Sequence, residues 1–155
     1  MAADNDETQS RTGNNFSEQE KNSERRENGW HSQEKSKKIL MIEDEEIFIE
    51  MFGEKLKQDG YDVSFAQNGA WGIKEAMEKD FDLYIIDMIM PAMNGEEMIT
   101  KLKMEDKTKN VPIVMLSASV EDDVVKRVKE LGIQAFFLKT QLTPGELSNK
   151  ISEIL

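Results

Sequence analysis

Five short apolar runs recur between residues 39 and 138, and a segment of helical period follows each one. The runs are Ile39–Ile42, Tyr61–Phe65, Leu83–Ile86, Val111–Leu116 and Ala135–Leu138. Runs of this length bounded by turn formers read as strands, and continuous apolar ones as strands covered on both faces. Tyr61-Asp62-Val63-Ser64-Phe65 alternates instead, which suits a strand nearer an edge. The intervening segments carry helical stripes. Phe48, Phe52 and Leu56 repeat at i+4 in a helix predicted over 45–59, with Gly60 just past its end. Ile73, Ala76 and Met77 mark a helix opened by Asn68-Gly69 and running to about Lys79. Met98, Ile99 and Leu102 mark a third, over 95–104; a fourth is predicted from Val120 to Leu131, closed by Gly132. Thr143-Pro144-Gly145-Glu146 combines a Thr N-cap, Pro at the first helical position and Glu at the third, and so starts a fifth. Trp71 falls where the stripe of its helix is polar and reads as half-buried packing.

Strands that alternate with helices build a parallel sheet with right-handed crossovers and helices on both faces. With five strands, the expected architecture is α/β, a flavodoxin-like doubly wound sheet of order 2-1-3-4-5 with five helices. The expected domain covers 37–155. Residues 1–36 are a different material: Asn, Ser, Glu, Gln, Arg and Gly dominate, with only Phe16 and Trp30 large and apolar. Such a segment buries too little surface to offset its ordering entropy and is expected to be a disordered polar tail. His31, the one histidine, lies there and reads as a solvated residue.

Charge narrows the function. Residues 1–38 hold 8 acids and 7 bases, leaving 23 acids and 13 bases for the rest. A domain this acidic repels nucleic acid phosphates and attracts cations and basic protein surfaces. The absence of cysteine, of any long apolar run and of an apolar leader predicts a cytoplasmic protein with no membrane contact.

The predicted strands end in a telling set of residues. Strand one runs into Glu43-Asp44, strand three into Asp87, strand four into Ser117 and strand five into Lys139. In open α/β sheets the crevice beyond the carboxyl ends of the strands is where ligands bind. The proposed order makes these strands neighbours, so three carboxylates, a hydroxyl and an ammonium should converge there. Two carboxylates about 4 Å apart at an effective dielectric near 20 repel by roughly 4 kcal/mol. Lys139 offsets one charge, and a divalent cation would neutralise the remainder. All-oxygen ligation by few carboxylates fits Mg²⁺, and Mn²⁺ nearly as well. A carboxylate beside such a cation can attack phosphorus and form an acyl phosphate.

On these residues the chain from Lys38 to Leu155 resembles the receiver domain of two-component response regulators, in the stand-alone form of chemotaxis-type regulators. The resemblance rests on Glu43-Asp44, on Asp87 followed by Met90-Pro91-Ala92-Met93-Asn94-Gly95, on Ser117-Ala118 and on Lys139. The steps of 30 residues from Asp87 to Ser117 and 22 from there to Lys139 are also similar to the family's. It implies that Asp87 accepts a phosphoryl group from a sensor histidine kinase or phosphotransfer protein. It implies further that Glu43, Asp44, Asp87 and the Ile89 backbone carbonyl hold Mg²⁺, that Ser117 and Lys139 stabilise the phosphoryl group, and that Phe136 is the aromatic that switches. The first helix, around Ile47, Phe48 and Met51, would dock the kinase. Three positions depart from the pattern. Glu43 stands where Asp is commoner, Phe136 lacks a tyrosine hydroxyl, and Thr140 follows Lys139 where many receivers carry a cis proline, which leaves the isomer of this bond open.

Little chain follows Lys139 beyond one helix, so output is expected to pass through protein contacts with a partner, and the protein is expected not to be an enzyme. The alternative is a scaffold or adaptor of the same fold that works without phosphorylation. A nucleotide-binding enzyme is disfavoured by the lack of G-x-x-x-x-G-K-[ST] and of a Gly-rich turn after strand one.

Overall fold

The computed structural model describes residues 34–119 and 121–155. The expected tail lies outside these residues except for its last three, as do Phe16, Trp30 and His31.

The elements run β1 (Lys38–Ile42), α1 (Glu46–Gln58), β2 (Asp62–Ala66), α2 (Gly69–Glu78), β3 (Leu83–Asp87), α3 (Gly95–Met104), β4 (Ile113–Ser117), α4 (Asp122–Glu130), β5 (Ala135–Leu138) and α5 (Pro144–Ile154). A single 3₁₀ turn, Lys139–Gln141, joins β5 to the last segment. All strand pairs are parallel, in the order β2-β1-β3-β4-β5. The expected α/β architecture is the one observed.

Because strand side chains alternate, each central strand feeds two cores. Leu40, Ile42, Tyr84, Ile86 and Met115 pack on one face with Met98, Ile99 and Leu102 of α3 and Val128 of α4. Ile39, Met41, Leu83, Ile85 and Val114 pack on the other with Phe52 and Leu56 of α1 and Leu147 and Ile151 of α5. The helix ends follow their sequence signals. Asn68 and Asn94 cap α2 and α3 through side-chain oxygens that accept from Trp71 N and Glu97 N. Thr143 and Glu146 form the expected reciprocal capping box. Gly60 and Gly132 adopt positive φ at helix ends.

Three expectations shift. Strand β4 begins at Ile113 rather than Val111, so Ser117 becomes its last residue. The fourth helix starts at Asp122; Val120, its expected start, lies outside the described residues. Trp71 is 47% exposed rather than packed, its indole N–H reaching Glu75 Oε1 at 3.4 Å. The buried stripe of α2 is made of Gly69, Gly72 and Ala76. A Cβ at Gly72 would stand 2.7 Å from Ile42 and Met98 side-chain atoms, so α2 lies too close to its neighbours to turn an indole inward.

Candidate functional site

The parallel register brings the strand ends together. Asp87 pairs with Leu116, one residue before Ser117, and Ser117 pairs with Leu138, one residue before Lys139. Ile42 pairs with Ile86, so Glu43 lies level with Asp87 on the neighbouring strand. One oxygen each from Glu43, Asp44 and Asp87 lies within 4.8 Å of the others. Glu43 and Asp87 are buried, and Asp44 is partly exposed.

Lys139 reaches into this cluster with its side chain 1% exposed. Its Nζ is 2.6 Å from Glu43 Oε2, 3.2 Å from Asp87 Oδ1 and 3.9 Å from Glu45 Oε1. The other face of the ammonium meets the ring of Phe48, 4.3 Å from its centroid. Glu43 Oε1 accepts from the Glu45 N–H at 3.1 Å, and Asp87 Oδ1 from the Ile89 N–H at 3.3 Å. Among the described residues three buried carboxylate oxygens, Glu43 Oε2, Asp44 Oδ1 and Asp87 Oδ2, have no hydrogen-bond partner, although Glu43 Oε2 lies 2.6 Å from the Lys139 ammonium. Buried acceptors without donors are uncommon and costly. Oxygens of this kind, close together and hard in character, suit a small divalent cation.

Burial, and next the charge of Glu43, push the Asp87 carboxyl up to about 7, while Lys139 pulls in the opposite direction. Burial likewise raises Glu43, with Lys139 opposing it. The folded domain therefore keeps a proton on Asp87 that the unfolded chain releases near the ordinary carboxyl range. Stability in the absence of divalent cation is expected to be highest below pH 4 as far as this group is concerned, and to be lost as pH rises through about 7. Melting temperatures at pH 5 and pH 8 in a chelator check this. The fall should flatten in Asp87→Asn and be smaller with Mg²⁺, which favours the ionised carboxylates; an unchanged slope in the variant would contradict it.

The loop after Asp87 is held by backbone. Met88 N donates to Leu116 O at 2.8 Å and Gly95 N to Met88 O at 2.9 Å. Within the turn Ala92 takes φ 67°, a left-handed conformation that strains a residue bearing a Cβ. Gly95 is required by proximity: a Cβ there would stand 2.7 Å from the Asp87 carbonyl oxygen and 2.9 Å from Met88 Cα, both backbone. Gly95→Ala is thus expected to displace the carboxyl end of β3 and cost about 1–3 kcal/mol by overpacking. Urea denaturation measures it, and a loss below the error of the method would contradict the close approach.

Ser117 Oγ donates to Ser119 O at 2.7 Å. Beyond it lies a cavity of about 150 Å³ lined by Met88, Ile89, Ser119, Val124 and the half-buried Phe136. Ile89 is 59% exposed at its edge. Glu43, Asp44, Asp87 and Lys139 thus meet in one cluster, and Ser117 ends the strand next to Asp87 and borders the same cavity as Phe136. The Lys139–Thr140 bond, whose isomer the sequence leaves open, is trans. Two contributors were missed as such. Glu45 adds a third carboxylate near the lysine, and Phe48 was assigned to the helix stripe and docking face rather than to the site. The i+4 stripe does place Phe48 one turn from Glu43-Asp44, which is the only signal the sequence holds.

A family model described as the response regulator receiver domain matches residues 39–152. The alkaline phosphatase synthesis transcriptional regulatory protein PhoP of Bacillus subtilis is 31% identical over 120 residues, 77% of this chain and 49% of its own length. The phosphate regulon transcriptional regulatory protein PhoB of Pseudomonas aeruginosa is 29% identical over 119 residues, 77% of this chain and 52% of its own. The chain therefore spans about half the length of these curated relatives. Among solved structures, the chemotaxis protein CheY4 of Vibrio cholerae superposes with a TM-score of 0.73 at 27% identity, over 77% of this chain and 99% of that one.

Proposed function

The chain belongs to the response regulator receiver family, and from that premise we propose that it is phosphorylated on Asp87 in a Mg²⁺-dependent step. The donor is the phosphohistidine of a sensor histidine kinase or phosphotransfer protein, and output passes through protein contacts rather than through nucleic acid, membrane or an enzymatic activity of its own. Residues 37–155 are the receiver in this reading, and the family model matches 39–152 of them. Among the described residues no helix is long and apolar enough to cross a membrane.

The observation that carries the reading is the pair of unpartnered oxygens on Asp44 and Asp87 beside a buried lysine. Asp44 and Asp87 would ligate Mg²⁺, with Glu43 acting mainly through water and the Ile89 carbonyl completing the protein's share. Bound there, Mg²⁺ would supply positive charge to offset that of the transferring phosphoryl oxygens. The chain's own residues do the rest. An Asp87 carboxylate oxygen attacks phosphorus, the bond from phosphorus to the donor nitrogen breaks, and the imidazole leaves with the electron pair. Lys139, 3.2 Å from Asp87 Oδ1, favours the ionised carboxylate that attacks and pairs with the incoming negative charge. Ser117 re-aims its hydroxyl from Ser119 O to a phosphoryl oxygen, and Phe136 follows into the space beside it.

Asp44→Asn is expected to lose about tenfold or more in Mg²⁺ affinity, a change of about 1.4 kcal/mol or more. Calorimetric titration reads this directly. Affinity equal to that of the unmodified chain would remove Asp44 from the site, and an unmodified chain that binds no Mg²⁺ would favour the phosphorylation-independent scaffold.

A further inference from the structure

We infer that Phe48 is a positioning residue for phosphoryl transfer: its ring closes a cage that holds the Lys139 ammonium against Asp87. The inference rests on the receiver reading and names a part of that site which the strand-end residues do not include.

The cage has unlike walls. Glu43, Asp87 and Glu45 provide carboxylates at 2.6, 3.2 and 3.9 Å, and the fourth wall is the face of Phe48, 4.3 Å from Nζ to centroid. An ammonium within about 6 Å of a ring centroid is attracted by the electron-rich face, more strongly when water is excluded. Water is excluded here, since the lysine side chain is 1% exposed. The ring is itself fixed. It is half-buried and stacks on Phe52 at 6.0 Å and 12°, and Phe52 is fully buried in the core beneath α1. The 48-52-56 stripe turns Phe48 inward, while its neighbours Ile47 and Met51 are 63% and 36% exposed.

The walls differ in how they respond to the reaction. A cation drawn to Glu43 and Asp87 competes with the lysine for the same oxygens, and phosphorylation converts the Asp87 carboxylate into an acyl phosphate. The carboxylate walls therefore weaken as the reaction proceeds. The ring's attraction depends on neither event. Lysine has a long, rotamer-rich stem and its ammonium is a compact point charge, so it stays in place only if something holds it. Phe48 supplies that hold while the carboxylates are occupied elsewhere.

The test compares Phe48→Leu, which keeps apolar bulk without a ring face, with Phe48→Tyr, which keeps the face. In the NMR spectrum of the chain without divalent cation, the Lys139 ε-methylene protons should be shifted upfield by the ring in the unmodified protein and in Phe48→Tyr, and not in Phe48→Leu. Labelling by acetyl phosphate at saturating Mg²⁺ should slow about tenfold in Phe48→Leu and stay within about twofold in Phe48→Tyr. In a Lys139→Met background, Phe48→Leu should add no further loss, because the ring then has nothing to hold. Mg²⁺ affinity should change little in the two Phe48 single variants, since the ring touches no cation ligand oxygen. The inference is overturned by full-rate labelling of Phe48→Leu, by equal losses in the Leu and Tyr variants, or by additive losses with Lys139→Met. If Phe48→Leu does not fold, the unmodified protein decides: an unshifted Lys139 signal overturns the cage. Absence of labelling in the unmodified chain would instead sink the receiver reading, with the lysine signal still reporting the cage.

Discussion

Lys139→Met is expected to cost about 3–5 kcal/mol of stability at pH 8 in the absence of divalent cation, because it strips a buried carboxylate pair of the one cation at close range among the described residues. Glu43 and Asp87 are 0% and 2% exposed, and the lysine bridges them at 2.6 and 3.2 Å. Methionine fills a similar volume, so the loss is electrostatic rather than a cavity. The sign of its pH dependence follows from the same geometry. Asp87 already stands at about 7 with the lysine present, and loss of the lysine removes an influence that lowers it. At pH 5 the variant holds a proton on Asp87 and escapes part of the repulsion, so its deficit should shrink. At pH 8 the deficit should be full, and Mg²⁺ should restore much of it by standing in for the ammonium. Urea denaturation at the two pH values, with and without Mg²⁺, separates these terms. A deficit that is the same at pH 5 and pH 8, and indifferent to Mg²⁺, would mean that Lys139 stabilises by packing its stem.

The same site shows what one sequence can and cannot convey. Glu43, Asp44, Asp87, Ser117 and Lys139 were legible because each interrupts an apolar run at the end where a parallel sheet opens its crevice. Sheet order then makes neighbours of residues far apart in the chain, and the register of β1, β3, β4 and β5 confirms that convergence. The cage around the lysine was not legible. Phe48 has the same i+4 signature as Phe52 and Leu56, which are plain core, and periodicity cannot tell a ring that faces a core from one that faces an ammonium. Only the folded position of Lys139, 4.3 Å from the Phe48 ring centroid, distinguishes them. Glu45 was hidden similarly, as one more acid at the start of an acidic helix. Trp71 misled in the opposite sense. Its size suggested packing, but the approach of α2 to Ile42 and Met98 is set by Gly69, Gly72 and Ala76, and the small residues take the inner face. Large residues report burial only where the space between elements is wide enough to hold them.

The loss expected at Asp87 is larger still, because no other group can take its place. The carboxylate is the end of a fully buried strand, aimed by the Ile89 N–H on one oxygen and left without a partner on the other. Asparagine at this position keeps the shape but gives up the charge, the nucleophilic oxygen pair and one cation ligand at once. Glu43 and Asp44 lie close by, yet the Lys139 ion pair occupies the first and partial exposure leaves the second open to water, so neither is expected to substitute. The measurement that tests the central claim most directly is the mass of the intact protein after incubation with Mg²⁺ and acetyl phosphate, run beside Asp87→Asn. The account predicts one added phosphoryl group in the unmodified chain, stable in acid, lost in alkali and dependent on Mg²⁺, and none in the variant. Equal labelling of the variant, or no labelling of a folded, Mg²⁺-binding chain, would contradict it.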